Sequence, residues 1–277
     1  MKSFESKVAA ITGAGSGMGR SLAIQLAQQR CHIALSDVNE AGLAETVTLA
    51  SRYGVNVTSK KVDVTDRAAM HAWAHEVAQD HGKVNLIFNN AGVALCATVD
   101  GASYEELEWI TGINFWGVLH GTKAFLPHLK ATGEGHIVNT SSSLGLAGMP
   151  SQSAYNATKF AVRGFTESLR QELELARCGV SVTSVHPGSI KTNIVRAARM
   201  SSSIREIGMD DGRVTEKLEK MFLTTADSAA HTILKAVRRN KRRVLVGPDA
   251  YVIDLMVRLF PSGYQVLTTL FARNSMK

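Results

Sequence analysis

Short runs of apolar and β-branched residues alternate along this chain with longer amphipathic segments. The seven predicted strands are Lys7–Thr12, His32–Asp37, Asn56–Asp63, Val84–Asn89, Gly135–Thr140, Ser181–His186 and Arg243–Gly247. The predicted helices between them are Met18–Arg30, Ala41–Arg52, Asp66–His81, Tyr104–Lys130, Gln152–Arg177 and Ala226–Arg239. Successive strand–helix–strand units cross over with the right hand and give parallel strands covered by helices on both faces. The pattern therefore predicts an α/β fold with a doubly wound, seven-stranded, mostly parallel sheet.

Composition narrows the class of protein further. Hydrophobic residues make up 45% of the 277 residues and charged residues 20%, which excludes an intrinsically disordered chain. No repeat, low-complexity tract or interior linker divides the sequence, so residues 1–277 are expected to form a single domain. The polar stretch Thr192–Phe222 interrupts the alternation of strands and helices, and a long insertion of this kind is typical of a lid over a site.

Cysteine usage and the apolar segments bear on the cellular compartment. The three cysteines, Cys31, Cys96 and Cys178, are too few for a disulfide scaffold and too scattered for a CxxC metal site, which indicates a reducing compartment. The first residues lack the long apolar core of a signal peptide, and no run of 18 uncharged apolar residues predicts a spanning helix. We expect a cytoplasmic protein that holds no metal, because the histidines form no HExxH pattern or other clear ligand set.

The net charge of +7 is concentrated in one segment. Six of the 31 basic residues lie in the run Lys235–Arg243, and the remaining basic residues nearly balance the 24 acidic ones. Nothing resembles a helix-turn-helix or an aromatic-interleaved basic groove, so no nucleic-acid partner is expected. Dense apolar residues follow in the C-terminal extension, Pro248–Lys277. Basic residues beside amphipathic helices can mark a peripheral membrane contact. The alternative is that these helices cover a substrate pocket or pack at a subunit interface.

A glycine-rich turn joins the first predicted strand to the first predicted helix. Its residues are Thr12, Gly13, Ala14, Gly15, Ser16, Gly17, Met18 and Gly19. Glycines at this place let the backbone approach a pyrophosphate, and the following helix N-terminus favours its negative charge. The spacing is TGxxxGxG rather than GxGxxG, because Met18 stands where the third glycine would be. Glycines also serve tight turns, but the position between strand and helix favours a dinucleotide site in a Rossmann-type fold.

Two acidic residues end the second and third predicted strands. Asp37 lies 20 residues after Gly17, where a carboxylate can accept hydrogen bonds from both ribose hydroxyls of an adenosine. The carboxylate would repel the 2′-phosphate of NADP(H), so NAD(H) is the expected cofactor, with NADP(H) not excluded. The alternative is that Asp37 caps the turn into the helix at Ala41. Asp63, followed by Val64, is expected either to contact the adenine edge or to cap the helix that begins near Asp66.

A tyrosine and a lysine stand four residues apart in Tyr155-Asn156-Ala157-Thr158-Lys159. On a helix the two side chains share one face. A nearby ammonium and a positively charged nicotinamide stabilise a phenolate and bring its pKa toward neutral pH. Such a pair alone is usually a solvated helix face. Ser142, however, precedes Tyr155 by thirteen residues at the carboxyl end of the fifth strand, where α/β sheets bind ligands; otherwise it belongs to a serine-rich loop that caps its own backbone.

These features together resemble the short-chain dehydrogenase/reductases, in their main single-domain branch. The resemblance extends from Lys7 to Gly188, and its motifs occur in order and at the expected spacing. They are Thr12–Gly19, Asn89-Asn90-Ala91-Gly92, Asn114, Ser142, Tyr155 with Lys159, and Pro187-Gly188 with Thr192. The resemblance implies one dinucleotide-binding and catalytic domain that transfers hydride between NAD(H) and an alcohol or carbonyl compound. It also implies a homodimer or homotetramer in which the two longest helices pair.

The resemblance implies a role for each matching residue. Tyr155 resembles the general acid/base, and Ser142 the residue that orients the substrate oxygen. Lys159 would hold the nicotinamide ribose and lower the tyrosine pKa, and Asn114 would position a water that links Lys159 to solvent. The further implied cofactor positions are Asn90, Ala91, Gly92, Pro187, Gly188, Ile190 and Thr192.

The sequence constrains the identity of the substrate less than it constrains the type of reaction. The candidate lining residues are Leu95, Cys96, Leu144, Met149 and Ser189. Because this set is mostly apolar, we expect a hydrophobic secondary alcohol or ketone rather than a polyol or a carboxylate. A non-catalytic dinucleotide-binding sensor or interaction module is the alternative function, and the intact Ser142, Tyr155 and Lys159 count against it.

Overall fold

Seven parallel strands form the centre of the computed structural model, which describes residues 1–194, 196–209 and 223–275. The strands are β1 (Val8–Thr12), β2 (His32–Asp37), β3 (Val57–Lys61), β4 (Leu86–Asn89), β5 (Gly135–Thr140), β6 (Val180–Pro187) and β7 (Arg243–Val246). Their order across the sheet is β7-β6-β5-β4-β1-β2-β3, and every pair of neighbours is parallel. The chain order reverses between β1 and β4, which creates the crevice where ligands bind in open α/β sheets. The predicted doubly wound fold is confirmed.

Helices cover both faces of this sheet. They are α1 (Gly17–Gln28), α2 (Glu40–Ser51), α3 (Arg67–His81), α4 (Tyr104–Thr111), α5 (Gly117–Ala131), α6 (Ser153–Ala176), α7 (Ala226–Arg238), α8 (Pro248–Leu259) and α9 (Tyr264–Ser275). Helices α1, α2 and α7 share one hydrophobic cluster, and α3, α5 and α6 share the other. The side chains of β1 alternate between the two clusters, because successive residues of a strand point to opposite faces. Ala9 and Ile11 belong to the first cluster, whereas Val8 and Ala10 belong to the second.

The predicted helix Tyr104–Lys130 is interrupted. A π-helical turn, Gly112–Trp116, separates α4 from α5 and contains the buried Asn114. Such turns insert an extra residue into a helix and are frequent at functional sites. The amphipathic pattern predicted the length of this segment but not its interruption.

Two short parallel pairings hold the segment that follows β6. Leu95–Cys96 pairs with Arg199–Met200, and Ile190–Lys191 pairs with Thr224–Thr225. The residues that flank the predicted lid, Thr192–Phe222, therefore pair with each other outside the seven-stranded sheet. Val195 and residues 210–222 of that lid lie outside the described residues.

The C-terminal extension forms α8 and α9, close to the two predicted apolar pieces. Large apolar side chains on the outer faces of both helices are exposed, among them Val252, Leu255, Leu259, Val266 and Leu270. Within the described ranges, no helix combines the length and the hydropathy that crossing a membrane requires.

Candidate active site

The glycine-rich turn after β1 is built around close backbone contacts. Gly13 and Gly17 have φ angles of 65° and 51°, in the left-handed region that favours glycine. A Cβ on Gly19 would lie 2.1 Å from the Gly13 carbonyl oxygen, so a larger residue there would force the turn apart. Helix α1 starts at Gly17, immediately after Ser16. The free N–H groups of this helix start form a ready site for a phosphate group.

A threonine hydroxyl and an asparagine amide brace this turn against β4. The Thr12 hydroxyl accepts hydrogen bonds from the N–H groups of Asn90 and Ala91, at 3.0 and 3.1 Å. The Asn90 side chain donates to the carbonyl oxygens of Thr12 and Gly13, at 3.1 and 3.3 Å. Sequence analysis gave Thr12 no role of its own, although its place at the head of the glycine motif was a usable signal.

Asp37 stands at the carboxyl end of β2 and is fastened to the same turn. The Gly15 N–H donates to Oδ2 at 2.8 Å, and the Asn39 N–H donates to Oδ1 at 2.9 Å. The carboxylate is half-buried beside the glycine turn. Asn39, not Asp37, provides the N-cap of α2 by accepting a hydrogen bond from the Gly42 N–H. A ribose-binding position and a turn-stabilising role are therefore compatible at Asp37.

Asp63 and Asp66 divide the two functions expected near the end of β3. The Asp66 side chain caps α3 by accepting a hydrogen bond from the Ala69 N–H at 2.9 Å. Asp63 is exposed and accepts hydrogen bonds from the N–H and the hydroxyl of Thr65, at 2.9 and 2.8 Å. Its carboxylate shapes the preceding turn and leaves the helix cap to Asp66. Val64, by contrast, is buried against the packed helices.

Lys159 is buried beside Tyr155 on α6. Its side chain is only 3% exposed, and Nζ lies 5.6 Å from the centre of the Tyr155 ring. Nζ donates a hydrogen bond to the Thr140 carbonyl oxygen at 3.2 Å, which links α6 to the carboxyl end of β5. Because burial disfavours the ammonium, the pKa of Lys159 falls from 10.5 to about 8. The predicted pair therefore occupies an interior face of the helix rather than a solvated one.

Tyr155 packs in an apolar cluster with Leu95, Ala97 and Ile110. Burial raises the pKa of Tyr155 above its usual value, while a hydrogen bond with the Ser142 side chain acts in the opposite direction. The protein alone therefore holds Tyr155 as a neutral phenol at neutral pH. The structure brings Ser142, Tyr155 and Lys159 together at the carboxyl edge of the sheet.

The serine-rich loop after β5 combines ligand-facing and structural contacts. Ser142 Oγ accepts a hydrogen bond from the Leu144 N–H at 3.0 Å, which is the local cap that a purely structural serine would make. The same side chain also reaches Tyr155. Ser141 donates to the Lys159 carbonyl oxygen at 2.7 Å and so fastens the loop to α6.

Asn114 fixes the loop after β4 from within the π-helical turn. Its amide oxygen accepts a hydrogen bond from the Val93 N–H at 2.8 Å, and its amide nitrogen donates to the Val93 carbonyl at 2.9 Å. This two-way pairing occupies a fully buried polar side chain, as a buried amide requires. A Cβ on Gly92 would lie 3.2 Å from Asn114 Oδ1 and 3.3 Å from Lys159 Nζ, so Asn114 and Lys159 face the same small space.

His186 in β6 supports the backbone of Ser142. A carbonyl can only accept, so Nδ1 donates to the Ser142 carbonyl oxygen at 3.0 Å. Nε2 then accepts from the Ser184 hydroxyl at 2.9 Å. Burial lowers the pKa of His186 to about 4 and that of the equally buried His136 to about 3. Both histidines act as neutral structural residues, in agreement with their positions within strands.

Acid should destabilise the protein through these two histidines. Unfolded histidine titrates near pH 6.5, so between about pH 6.5 and 4 the unfolded chain binds more protons and the free energy of unfolding falls as the pH is lowered. We expect a loss of about 1–2 kcal/mol per histidine between pH 7 and 5, measured by urea unfolding. His186→Asn should flatten this slope, and the exposed control His71→Asn should leave it unchanged. If the free energy of unfolding depended equally on pH in H186N and in wild type, His186 could not be the buried neutral group that causes the acid sensitivity.

The candidate substrate-lining residues separate into two groups. Leu95 packs with Tyr155, whereas Cys96 packs with Ile204 and Met209 of the lid segment. The Cys96 thiol accepts a hydrogen bond from Gln152 Nε2 at 2.7 Å, and burial raises its pKa. Leu144, Met149 and Ser189 are half-buried on the loops after β5 and β6.

Two residues of the C-terminal extension reach these loops, and sequence analysis missed both. The Tyr264 hydroxyl accepts a hydrogen bond from the Gly148 N–H at 3.0 Å, and Asp249 Oδ2 accepts one from the Ser189 N–H at 2.5 Å. Nothing in the local sequence indicates either contact, because the partners are 116 and 60 residues apart. The two contacts support the interpretation that the extension covers the site.

The part of the chain that the structure describes contains no group of three or more histidine, cysteine, aspartate or glutamate side chains able to hold a metal ion.

Known proteins resemble this chain in sequence and in fold. The family model described as short chain dehydrogenase matches residues 7–202. SadH from Mycobacterium tuberculosis, named as an oxidoreductase, is 48% identical over 268 residues that cover 96% of this chain and 95% of SadH. A short-chain dehydrogenase/reductase from Burkholderia phymatum, crystallised in complex with NAD, is 31% identical with a TM-score of 0.88, covering 96% of this chain and 97% of that one. Levodione reductase is 25% identical with a TM-score of 0.77, covering 90% of this chain and 98% of that one. This chain belongs to the short-chain dehydrogenase family and is an oxidoreductase of that type.

Proposed function

We propose that residues 1–277 form one dinucleotide-binding and catalytic domain that interconverts a hydrophobic secondary alcohol and its carbonyl compound with NAD(H). The observation that carries this proposal is the convergence of Ser142, Tyr155 and Lys159 at the carboxyl edge of the sheet, the edge at which the glycine turn also follows its strand. A non-catalytic sensor would need the glycine turn but not this proton-transfer set.

The residues that would hold the dinucleotide lie in the glycine turn, at or after the ends of β2, β3, β4 and β6, and on α6. They are Gly13, Gly15, Ser16, Gly17, Met18, Gly19, Asp37, Asp63, Val64, Asn90, Ala91, Gly92, Tyr155, Lys159, Pro187, Gly188, Ile190 and Thr192. The fit rests on the cradle at the glycine turn, where a Cβ on Gly19 would collide with the backbone and where the start of α1 faces outward. When bound, the cofactor supplies a hydride acceptor or donor at its nicotinamide ring.

Proton transfer is assigned to Tyr155. In alcohol oxidation its phenolate would accept the hydroxyl proton, and in carbonyl reduction its phenol would donate a proton to the substrate oxygen. Ser142 would donate a hydrogen bond to the same oxygen and hold it near Tyr155. Because burial raises the pKa of Tyr155 in the protein alone, the phenolate needs nearby positive charge. Lys159 provides one such charge, 5.6 Å from the ring centre.

Asn114 and Lys159 would act on the far side of the tyrosine. Lys159 would hold the nicotinamide ribose hydroxyls with Nζ, which has only one hydrogen bond to the protein in the described residues. Asn114 would order a water in the small space next to Gly92, and that water would connect Lys159 to solvent. In alcohol oxidation, the proton that Tyr155 receives would leave to solvent through Lys159 and this water.

A panel of alcohols and carbonyl compounds, assayed with NAD(H) and NADP(H), tests the proposed activity. We expect turnover to be fastest for hydrophobic secondary alcohols or ketones, because Leu95 packs against Tyr155 and the half-buried, apolar Leu144 and Met149 lie on the loop after β5. Preference for short polyols would contradict the substrate class. No turnover of any compound would favour the sensor function.

Asp37 should set the preference for NAD over NADP. In the proposed site its carboxylate would lie next to the 2′-phosphate of NADP, so electrostatic repulsion would weaken the binding of NADP and not of NAD. We expect Asp37→Ala to lower the ratio of kcat/KM for NAD to that for NADP by at least about tenfold, which corresponds to about 1.4 kcal/mol.

Asp63→Ala is the matched control for this cofactor experiment. Asp63 follows β3, and in the proposed site it would act on both cofactors alike. The ratio should therefore stay within about twofold of the wild-type ratio. If D37A left the ratio of kcat/KM for NAD to that for NADP unchanged, Asp37 could not be the residue that sets the preference for NAD.

Exposed apolar side chains outside the site indicate how subunits would pair. The family generally forms oligomers, and we expect a homodimer or homotetramer that pairs α4–α5 and α6, since Trp116 and Phe160 are exposed there. Light scattering of wild type and Trp116→Arg tests this assembly.

Peripheral membrane contact through the outer faces of α8 and α9 stays a prediction, as do a cytoplasmic location and the absence of a nucleic-acid partner. Part of the basic run is turned toward the chain itself, because Arg242 pairs with Glu174 at 3.0 Å and Arg238 donates to Gln29 at 3.2 Å. Sedimentation with phosphatidylserine vesicles tests the contact. A chain that stays in the supernatant would leave pocket cover and subunit packing as the use of these helices.

A further inference from the structure

Asp249, in the first turn of α8, reaches back to the loop that follows β6. Its Oδ2 accepts the hydrogen bond from the Ser189 N–H at 2.5 Å. A backbone N–H bonded to a carboxylate is held more strongly than one bonded to a neutral oxygen. The loop is also tied to the sheet, because the Gly188 N–H donates to the Val246 carbonyl at 2.8 Å. Two successive N–H groups of the loop therefore point into the C-terminal part of the chain.

The carboxylate occupies the space where the side chain of residue 188 would stand. A Cβ added to Gly188 would lie 2.2 Å from Asp249 Oδ1 and 2.3 Å from Oδ2. The φ angle of Gly188 is not positive, so the backbone alone does not require glycine there. The contact with Asp249 supplies a reason for glycine at this position.

Asp249 Oδ1 is buried and finds no hydrogen-bond partner among the described residues. Leaving a carboxylate oxygen in this state is unfavourable, so its position calls for an explanation other than stability. A Cβ on Gly247 would lie 2.7 Å from this oxygen and 2.8 Å from Thr224 Oγ1. Thr224 pairs with Ile190, so the carboxylate stands where α8, the loop after β6 and the returning end of the lid segment meet.

We propose that Asp249 is a positioning residue that fixes the loop Pro187–Ile190 against the nicotinamide end of the cofactor. This inference rests on the proposed function, in which the backbone of that loop meets the nicotinamide carboxamide. Asp249 touches neither substrate nor cofactor and acts through the Ser189 N–H. The C-terminal extension thereby contributes to cofactor geometry, although it lies beyond the family's sequence motifs.

Binding of NADH and of ADP-ribose, measured by titration calorimetry on the full chain, tests this role. ADP-ribose lacks the nicotinamide, so Asp249→Ala should raise the Kd of NADH about tenfold and leave the Kd of ADP-ribose within about twofold. Asp249→Asn should restore most of the NADH affinity, because its amide oxygen can still accept from Ser189. Asp254→Asn is the matched control on the same helix, where the carboxylate pairs with Arg243 and Arg258, and it should change neither Kd.

The outcomes separate this inference from the proposed function. Equal weakening of both ligands in D249A, or unchanged binding of both, would overturn the positioning role while leaving the dinucleotide site intact. A wild-type chain that binds neither ligand would overturn the proposed function itself and the positioning role with it.

A second measurement needs no cofactor. Gly188→Ala should lower the Tm of the wild-type chain by about 3 °C or more through its collision with the carboxylate. The same substitution should have a clearly smaller effect in a chain that also carries Asp249→Ala. Equal losses in both backgrounds would contradict the contact on which the proposal depends.

Discussion

Replacing Tyr155 with phenylalanine should lower kcat by about 10²–10⁴-fold on any alcohol or ketone that the wild-type chain converts. The substitution removes only the hydroxyl, and the ring keeps its place against Leu95, Ala97 and Ile110. The Kd of NADH should therefore stay within about twofold of the wild-type value. Steady-state kinetics and NADH fluorescence titration measure the two quantities.

Tyr104→Phe provides the matched control for this substitution. Tyr104 begins α4 and is 81% exposed, so loss of its hydroxyl should change neither kcat nor the NADH affinity. If Y155F kept a tenth or more of the wild-type kcat, Tyr155 could not be the general acid/base. A parallel loss of NADH binding would instead indicate that the hydroxyl holds the cofactor.

Lys159→Met should have opposite effects on activity and stability. The ammonium is buried and its pKa is lowered to about 8, so the folded state loses free energy by holding this charge at neutral pH. Methionine has a similar length and no charge, and we expect it to raise the free energy of unfolding at pH 7 by about 1–3 kcal/mol. At the same time kcat/KM should fall by about 10²-fold or more, because the charge next to Tyr155 is lost.

The pH dependence of stability gives this prediction a distinct signature. Between pH 8 and about 10.4 the unfolded chain keeps the lysine proton that the folded chain releases, so wild type gains stability from this group as the pH rises. K159M should lack that gain, and the exposed control Lys123→Met should retain it. A K159M chain that is less stable than wild type at pH 7 would contradict the prediction, because it would show that contacts in the folded protein outweigh the cost of burying the Lys159 charge.

The parts of the site that the sequence predicted depend on local rules. The glycine turn, Asp37 and Tyr155 with Lys159 are fixed by their positions at the ends of strands or on one helix face. Because all seven strands are parallel, the carboxyl ends of β1, β4 and β5 had to meet at one edge. The meeting of Ser142 with Tyr155 was implied by the resemblance to the short-chain dehydrogenase/reductases, because Tyr155 lies on a helix and not at a strand end.

The parts that the sequence did not predict depend on contacts between distant residues. The π-helical turn at Asn114 comes with its pairing to Val93, which a helical pattern cannot indicate. Tyr264 and Asp249 reach loops that precede them by many residues, and neither belongs to a motif. At β3 the ambiguity was local, and only the geometry assigns the helix cap to Asp66 rather than to Asp63.

The parallel pairing of Ile190–Lys191 with Thr224–Thr225 makes the intervening stretch a closed loop whose ends are already joined. Closing a loop costs little more as it lengthens, about 0.6 kcal/mol for each doubling, so the joined ends set no narrow limit on the length of the stretch between them. In the proposed function this stretch is the substrate lid, so the substrate-selecting surface would diverge separately from Ser142, Tyr155 and Lys159. In engineering terms, the pairing is a grafting point, and a loop exchanged between its two strands should alter which alcohol is accepted without rebuilding those three residues.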